Sequence, residues 1–344
     1  MYLPCGTFNE TYKRDTAILR TRAHLAWCLF AAALVMGILL AGNAYIINFA
    51  TLMSITVISA LGLQILTGFA GQFSIAHAAF MAVGAYTSAI LADHGVPLYL
   101  SLPAAAFVTG AVGLFFGLPS LRIKGFYLLM ATFAAHFIIM YIITHWQGLT
   151  RGEFGYPAPS PIENERGYFI LVIVCLVAFT IGLKNMLRSK AGRAFVAMNN
   201  NDLAAKVLGI NLFHYKLLAF FISCLYAGFA GGLYAHFYRT VVPETFTLAS
   251  SMWYLGYLLV GGLGSVPGTF FGVALIMGLN EILTQAFGVL ANNYPEFTRF
   301  LAPMRQVVFG LIVILFLIFE PRGLAHRWEK IKGYFRLWPY PYWS

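Results

Sequence analysis

A chain of 344 residues with 60% apolar and only 10% charged side chains cannot cover a soluble surface, because soluble domains carry about 25% charged residues. Disorder, collagen and a disulfide scaffold are excluded by the same figures; with a mean hydropathy of +0.76 and about 20 apolar residues needed per span, they predict an all-α polytopic membrane protein of about ten transmembrane helices. The net charge of +10 would suggest nucleic acid in a soluble chain, but here the charges lie between apolar runs, so they report on topology and no nucleic-acid partner is expected.

Residues 1–24 are polar and basic and read as a cytoplasmic segment. Ten apolar runs follow, at roughly 25–41, 44–66, 73–92, 98–118, 126–144, 168–183, 217–237, 248–264, 266–288 and 304–320. They place a transmembrane domain at 25–320 and a cytoplasmic tail at 321–344. The first run could pass for a signal-peptide core ending at Gly42-Asn43-Ala44. The long basic segment before it, and the span beginning at Tyr45, argue against cleavage. With the N-terminus inside and ten crossings, the 22 Lys and Arg divide seventeen inside to five outside. The positive-inside bias favours that split, with both termini cytoplasmic.

Two loops are long. Residues 145–167 lie outside and carry Pro157, Pro159 and Pro161; residues 184–216 lie inside and are basic. Neither can house a nucleotide-binding domain, and no G-x-x-x-x-G-K-[ST] phosphate loop occurs. Cys5, Cys28, Cys175 and Cys224 lack metal-ligand spacing and read as small apolar residues. Small residues four apart, such as Gly113 and Gly117, Gly228 and Gly232, and Gly268 and Gly272, predict close helix packing.

Catalytic patterns are missing: no H-E-x-x-H, nucleophile elbow or intramembrane carboxylate pair occurs. His77 and His136 fall within spans, where an ionisable group is costly and therefore a candidate for the solute path. The alternative is a neutral histidine hydrogen-bonded to a neighbouring helix. Two segments interrupt their spans, Thr67 to Ser74, with Gln72 and Ser74, and Gly261 to Gly268, with Gly261 and Gly264. Broken helices can expose backbone groups to a substrate, though a tight cytoplasmic turn would use the same residues. Both share G-x-x-G, a weak internal echo. Glu281 is the one carboxylate deep in a span. It sits about 22 Å beyond Val266 along a helix, where it could pair with Arg305 or meet a solute's ammonium group.

In the inner loop, Asn201 or Asp202 can cap a helix start and Gly209 can close its end in the left-handed conformation. The two turns between them are too short to be stable alone. With small Ala204 and Ala205, they suit docking into a groove on another protein.

Several stretches together resemble one family. They include Gly68-Phe69-Ala70-Gly71-Gln72-Phe73-Ser74-Ile75-Ala76-His77, Gly192-Arg193-Ala194, Ala204-Ala205 through Gly209-Ile210-Asn211, Ala227-Gly228-Phe229-Ala230-Gly231-Gly232, Gly261-Gly262-Leu263-Gly264-Ser265 and Pro321-Arg322-Gly323-Leu324. In order and at this topology, they resemble the permease subunits of branched-chain amino-acid ABC importers, the LivM type. That resemblance implies a multi-pass protein of the bacterial inner membrane. Its implied partners are a second, LivH-like permease subunit, two cytoplasmic ATPase subunits and a periplasmic solute-binding protein. No cofactor would bind the chain directly; the ATPase subunits would use ATP. Arg193, Asp202, Ala204, Ala205 and Gly209 would belong to the loop that contacts the ATPase. Asn199-Asn200-Asn201-Asp202 stands where the family often has a glutamate-containing stretch, and Arg151 to Gly155 departs from its usual Gly-Gly-x-x-Gly. A hydrophobic amino acid is the expected solute, with urea or amides as alternatives. An ion-coupled secondary transporter would require more intramembrane carboxylates, and an integral membrane enzyme a cluster of polar residues in the spans.

Overall fold

A computed structural model describes residues 42–120, 126–159, 164–293, 301–320 and 322–337, with Ile162 and a few positions before residue 42. The segment 1–24, most of the first apolar run, Arg122, Lys124, Pro161 and the aromatic end of the tail lie outside the described residues.

The architecture is helical. The first five long helices are α1 (Ala44–Leu63), α2 (His77–Asp93), α3 (Leu98–Ser120), α4 (Phe126–His145) and α5 (Glu165–Arg188). Two short helices follow, α6 (Lys190–Asn200) and α7 (Asp202–Val207). Then come α8 (Leu212–Tyr238), α9 (Leu248–Gly261), α10 (Val266–Asn293), α11 (Leu301–Phe319) and α12 (Gly323–Leu337). Nine of the ten expected runs thus coincide with helices. Among the described residues, six helical segments are both long and apolar enough to cross a membrane. Helices α2 and α9 have 17 and 14 residues, rising about 26 and 21 Å, less than the roughly 30 Å hydrocarbon core. Each adjoins a non-helical segment. Helix α6 and the tail helix α12 were not anticipated.

Helix α8 is the centre of the bundle and packs against α1, α2 and α3. Its small residues make this possible. A Cβ on Gly84 of α2 would collide with the Gly228 carbonyl of α8, so the two helices meet backbone to backbone. Helices α9 and α10 pack together, and α10 also lies against α1. Side-chain oxygens cap the starts of α5, α8 and α9: Asn164 accepts from Arg166 N, Asn211 from His214 N and Thr247 from Ser250 N, each satisfying an otherwise orphaned amide.

The proline-rich loop is pinned. Its β1 (Tyr156–Pro157) pairs antiparallel with β2 (Thr240–Val241). Tyr156 donates its hydroxyl to Asp93 at 2.8 Å, and Arg151 approaches the same carboxylate at 3.6 Å. Burial, reinforced by the bond to Asp93, pushes the Tyr156 phenol up. His236 completes the clamp: its Nδ1 donates to the Pro159 carbonyl and its Nε2 faces Ser88 Oγ, both at 2.9 Å.

Candidate functional site

Helix α1 does not pass smoothly into α2. Its end widens into a π-helical turn over Gln64–Phe69, and Ala70 N donates to Ile65 O at 3.0 Å. Gly71 then takes φ +68°, a conformation that glycine adopts without a Cβ penalty. The chain stays non-helical through Ala76. This is the break expected over residues 67–74, and it moves the start of α2 from the expected residue 73 to His77.

Irregular backbone within an apolar bundle must find its partners within the protein. Asn199 Nδ2, at the end of α6, donates to the Gly68 carbonyl at 3.0 Å. Gln64 Nε2 donates to the carbonyls of Gly262 and Ser265, both at 3.1 Å. A Cβ on Gly68 would lie 2.6 Å from Gly264 N. The second glycine segment is therefore packed directly on the first, although Gln64 and Gly262 are 198 positions apart. Gly264 sits at φ +74° in this contact. Gly261 is buried where a Cβ would collide with the Gly268 carbonyl of α10.

The remaining expected residues distribute unevenly. Ser74 is buried, and its Oγ accepts weakly from Ala76 N at 3.4 Å. Gln72 is 3% exposed, and neither its Oε1 nor its Nε2 has a hydrogen-bond partner among the described residues. His136 is likewise 3% exposed, with Nδ1 unpartnered among the described residues. One turn earlier on α4, Thr132 Oγ1 accepts from Ile75 N at 3.2 Å, which holds α4 against the break. His77 is a tie between helices: its Nε2 donates to Ser59 O at 3.0 Å and lies 2.8 Å from Ser59 Oγ. Its ring meets Tyr254 of α9 edge-on at 5.2 Å.

Glu281 is not brought to the break. It accepts from the Tyr45 hydroxyl, and Gln285 Nε2 lies 3.5 Å from the same carboxylate oxygen. Tyr45 begins α1, at the opposite end from Gly68, about 35 Å along the helix. The Arg305 side chain lies outside the described residues.

In the inner loop Asn201, not Asp202, is the cap, accepting from Leu203 N at 2.9 Å and Ala204 N at 3.1 Å. Asp202 instead pairs with Lys216 at 2.7 Å and ties α7 to the start of α8. Gly209 has φ +82°, as a left-handed helix closure requires. Arg193 is exposed and donates through Nη1 to Arg188 O at 3.3 Å. Ala205 is 1% exposed and faces inward, whereas Leu203, Val207 and Leu208 are 71%, 87% and 78% exposed. Of the paired alanines, Ala204 is exposed and Ala205 is not, so the outward face of this segment carries Ala204 and Lys206 beside the larger apolar Leu203, Val207 and Leu208.

Sequence reasoning passed over Gln64, Asn199 and Tyr45. Gln64 carried a usable signal, a polar side chain inside an apolar run. Asn199 stood in an asparagine run that suggested only a cap.

A bundle of apolar helices with two broken segments in contact and a capped inner loop tied to them is the architecture of a multi-pass membrane permease. The model of the family described as branched-chain amino acid transport system, permease component, matches residues 45–317, and the chain belongs to that family. It is 29% identical over 309 residues to a high-affinity branched-chain amino acid transport system permease protein LivM of Salmonella typhimurium, covering 81% of this chain and 69% of that protein. It is 27% identical over 312 residues to the LivH permease protein of Escherichia coli K12, covering 83% and 96%. A probable LivM protein of Methanocaldococcus jannaschii is 25% identical over 236 residues, covering 66% and 68%. No solved structure matches the chain.

Proposed function

We infer that this chain is the transmembrane permease subunit of an ABC importer and forms part of the path for branched-chain or other hydrophobic amino acids. The reading rests on the family and on one observation, the link from Asn199 at the end of α6 to the Gly68 carbonyl in the break. A push on the inner loop reaches the membrane break through that contact. The exposed Leu203, Val207 and Leu208 supply the surface on which a cytoplasmic ATPase docks. Gln72, Ser74, His77, His136, Gly261 and Gly264 lie along or beside the path at the break, and Glu281 belongs to its outer mouth. The partners are a second permease subunit of the LivH kind, two ATPase subunits that use the ATP, and a periplasmic solute-binding protein. The complex sits in the inner membrane with both termini of this chain cytoplasmic.

The test is uptake by the reconstituted complex. Leucine uptake should require ATP, stop when the partner ATPase is inactivated and survive a protonophore. Uptake that a protonophore abolishes, in a protein that purifies without an ATPase, would instead identify an ion-coupled transporter.

A further inference from the structure

Next to the His77 tie lies a cavity of about 270 Å³, below the roughly 300–1,000 Å³ of sites for drug-sized ligands. Helices α1, α2, α8, α9 and α10 contribute to it, together with Thr245 and Phe246 from the segment after β2. The cavity therefore reaches from the outer connection to the first turn of α2.

Its lining has three features. Tyr234, Phe246, Trp253, Tyr254 and Tyr257 supply its aromatic faces, and among the described residues no acidic or basic side chain lines it. Asn280 of α10 also lines it, and the Asn280 Oδ1 is buried with no hydrogen-bond partner among the described residues. The Tyr254 hydroxyl donates to Met81 Sδ at 3.3 Å, and a thioether is a weak acceptor that a better one readily displaces.

An unpaired buried amide oxygen costs free energy until something donates to it. Aromatic faces around it favour a cation. The hydroxyl of Tyr254, beside Met81 of α2, offers a donor to an anion. A neutral lining cannot compensate a net charge, since an unpaired charge taken out of water is strongly disfavoured. We propose that this cavity is a solute site within the permease itself, built for a small zwitterion with an aliphatic body. Its ammonium group is received by Asn280 Oδ1 and the aromatic faces, and its carboxylate by Tyr254. This rests on the functional reading above and adds where and how the solute is held.

The test uses the complete complex in nanodiscs, without the solute-binding protein, and equilibrium binding of radiolabelled leucine. Wild type should bind leucine saturably. Unlabelled isoleucine should compete, whereas leucinamide, which is cationic, and 4-methyl-2-oxopentanoate, which is anionic, should not. Asn280→Ala should weaken binding about tenfold or more, the weight of a hydrogen bond to a charged group. Tyr254→Phe, which keeps the ring, should weaken it by about threefold or more through loss of one donor, and both variants should co-purify with their partner subunits. ATP-driven uptake with the binding protein present separates the two readings. A wild-type complex that takes up no branched-chain amino acid overturns the functional reading and this one with it. A complex that takes up leucine, but whose Tyr254→Phe form binds and transports it as wild type does, overturns the cavity assignment alone. So does equal competition by leucinamide.

Discussion

Asn199 and Gly68 are 131 positions apart, yet the amide of one donates to the carbonyl of the other at 3.0 Å. One belongs to the inner loop and the other to the turn where α1 loses its helical pairing. Gly71, three residues on, is shaped by the same neighbour: a Cβ there would lie 2.5 Å from Asn199 Oδ1. The contact ties the loop to the break.

Asn199→Ala removes the bond, worth about 1 kcal/mol, without touching the packed core. The variant should purify with its partner subunits in near-normal yield, while ATP-driven uptake slows about fivefold, the rate equivalent of that energy. Gly71→Ala should act in the same direction. Uptake at the wild-type rate in both variants would show that the contact transmits nothing.

The inner helix α7 separates docking from folding. Val207→Asp and Leu208→Asp place a charge on side chains that are mostly exposed, so the permease should fold normally. Binding to the ATPase should fall by about thirtyfold, as expected for about 2 kcal/mol lost at the centre of an interface. Ala205→Trp should do the reverse. Ala205 is buried, and overfilling a packed position costs about 1–3 kcal/mol, so its thermal midpoint should drop. Pull-down of the ATPase and a melting curve for each variant distinguish these outcomes.

Tyr45 and Glu281 join the beginning of α1 to α10. Glu281→Gln retains the acceptor oxygen and should be tolerated. Tyr45→Phe and Glu281→Leu should each destabilise the protein, and the double variant should cost less than their sum by about 1 kcal/mol. Strict additivity in a double-mutant cycle on thermal stability would rule the pair out.

Pairing of β1 with β2 requires that residues 155 and 242 lie on the same side of the membrane. Reporter fusions there, and after residue 95, should read periplasmic. Fusions after residues 123 and 200 should read cytoplasmic. Opposite readings at 155 and 242 would contradict the fold, and a cytoplasmic reading at both would invert the orientation.

The positions of the helices were legible without coordinates. A lipid-crossing segment must be apolar over its whole length, so α3, α4 and α10 begin at Leu98, Phe126 and Val266, where the apolar runs begin. The interruption after Thr67 and the closure at Gly209 were legible too, because glycine at a left-handed position and an asparagine cap are local chemistry. Which faces meet was a matter for the tertiary structure. A buried membrane helix is apolar all round, so its periodicity does not distinguish the face that packs on a neighbour from the face that meets lipid. The contact of Gln64 with Gly262, the inward turn of Ala205 and the meeting of Glu281 with Tyr45 each depend on how two or more helices are rotated. That rotation is set by backbone contacts such as Gly84 on Gly228, which exist only once the bundle has closed.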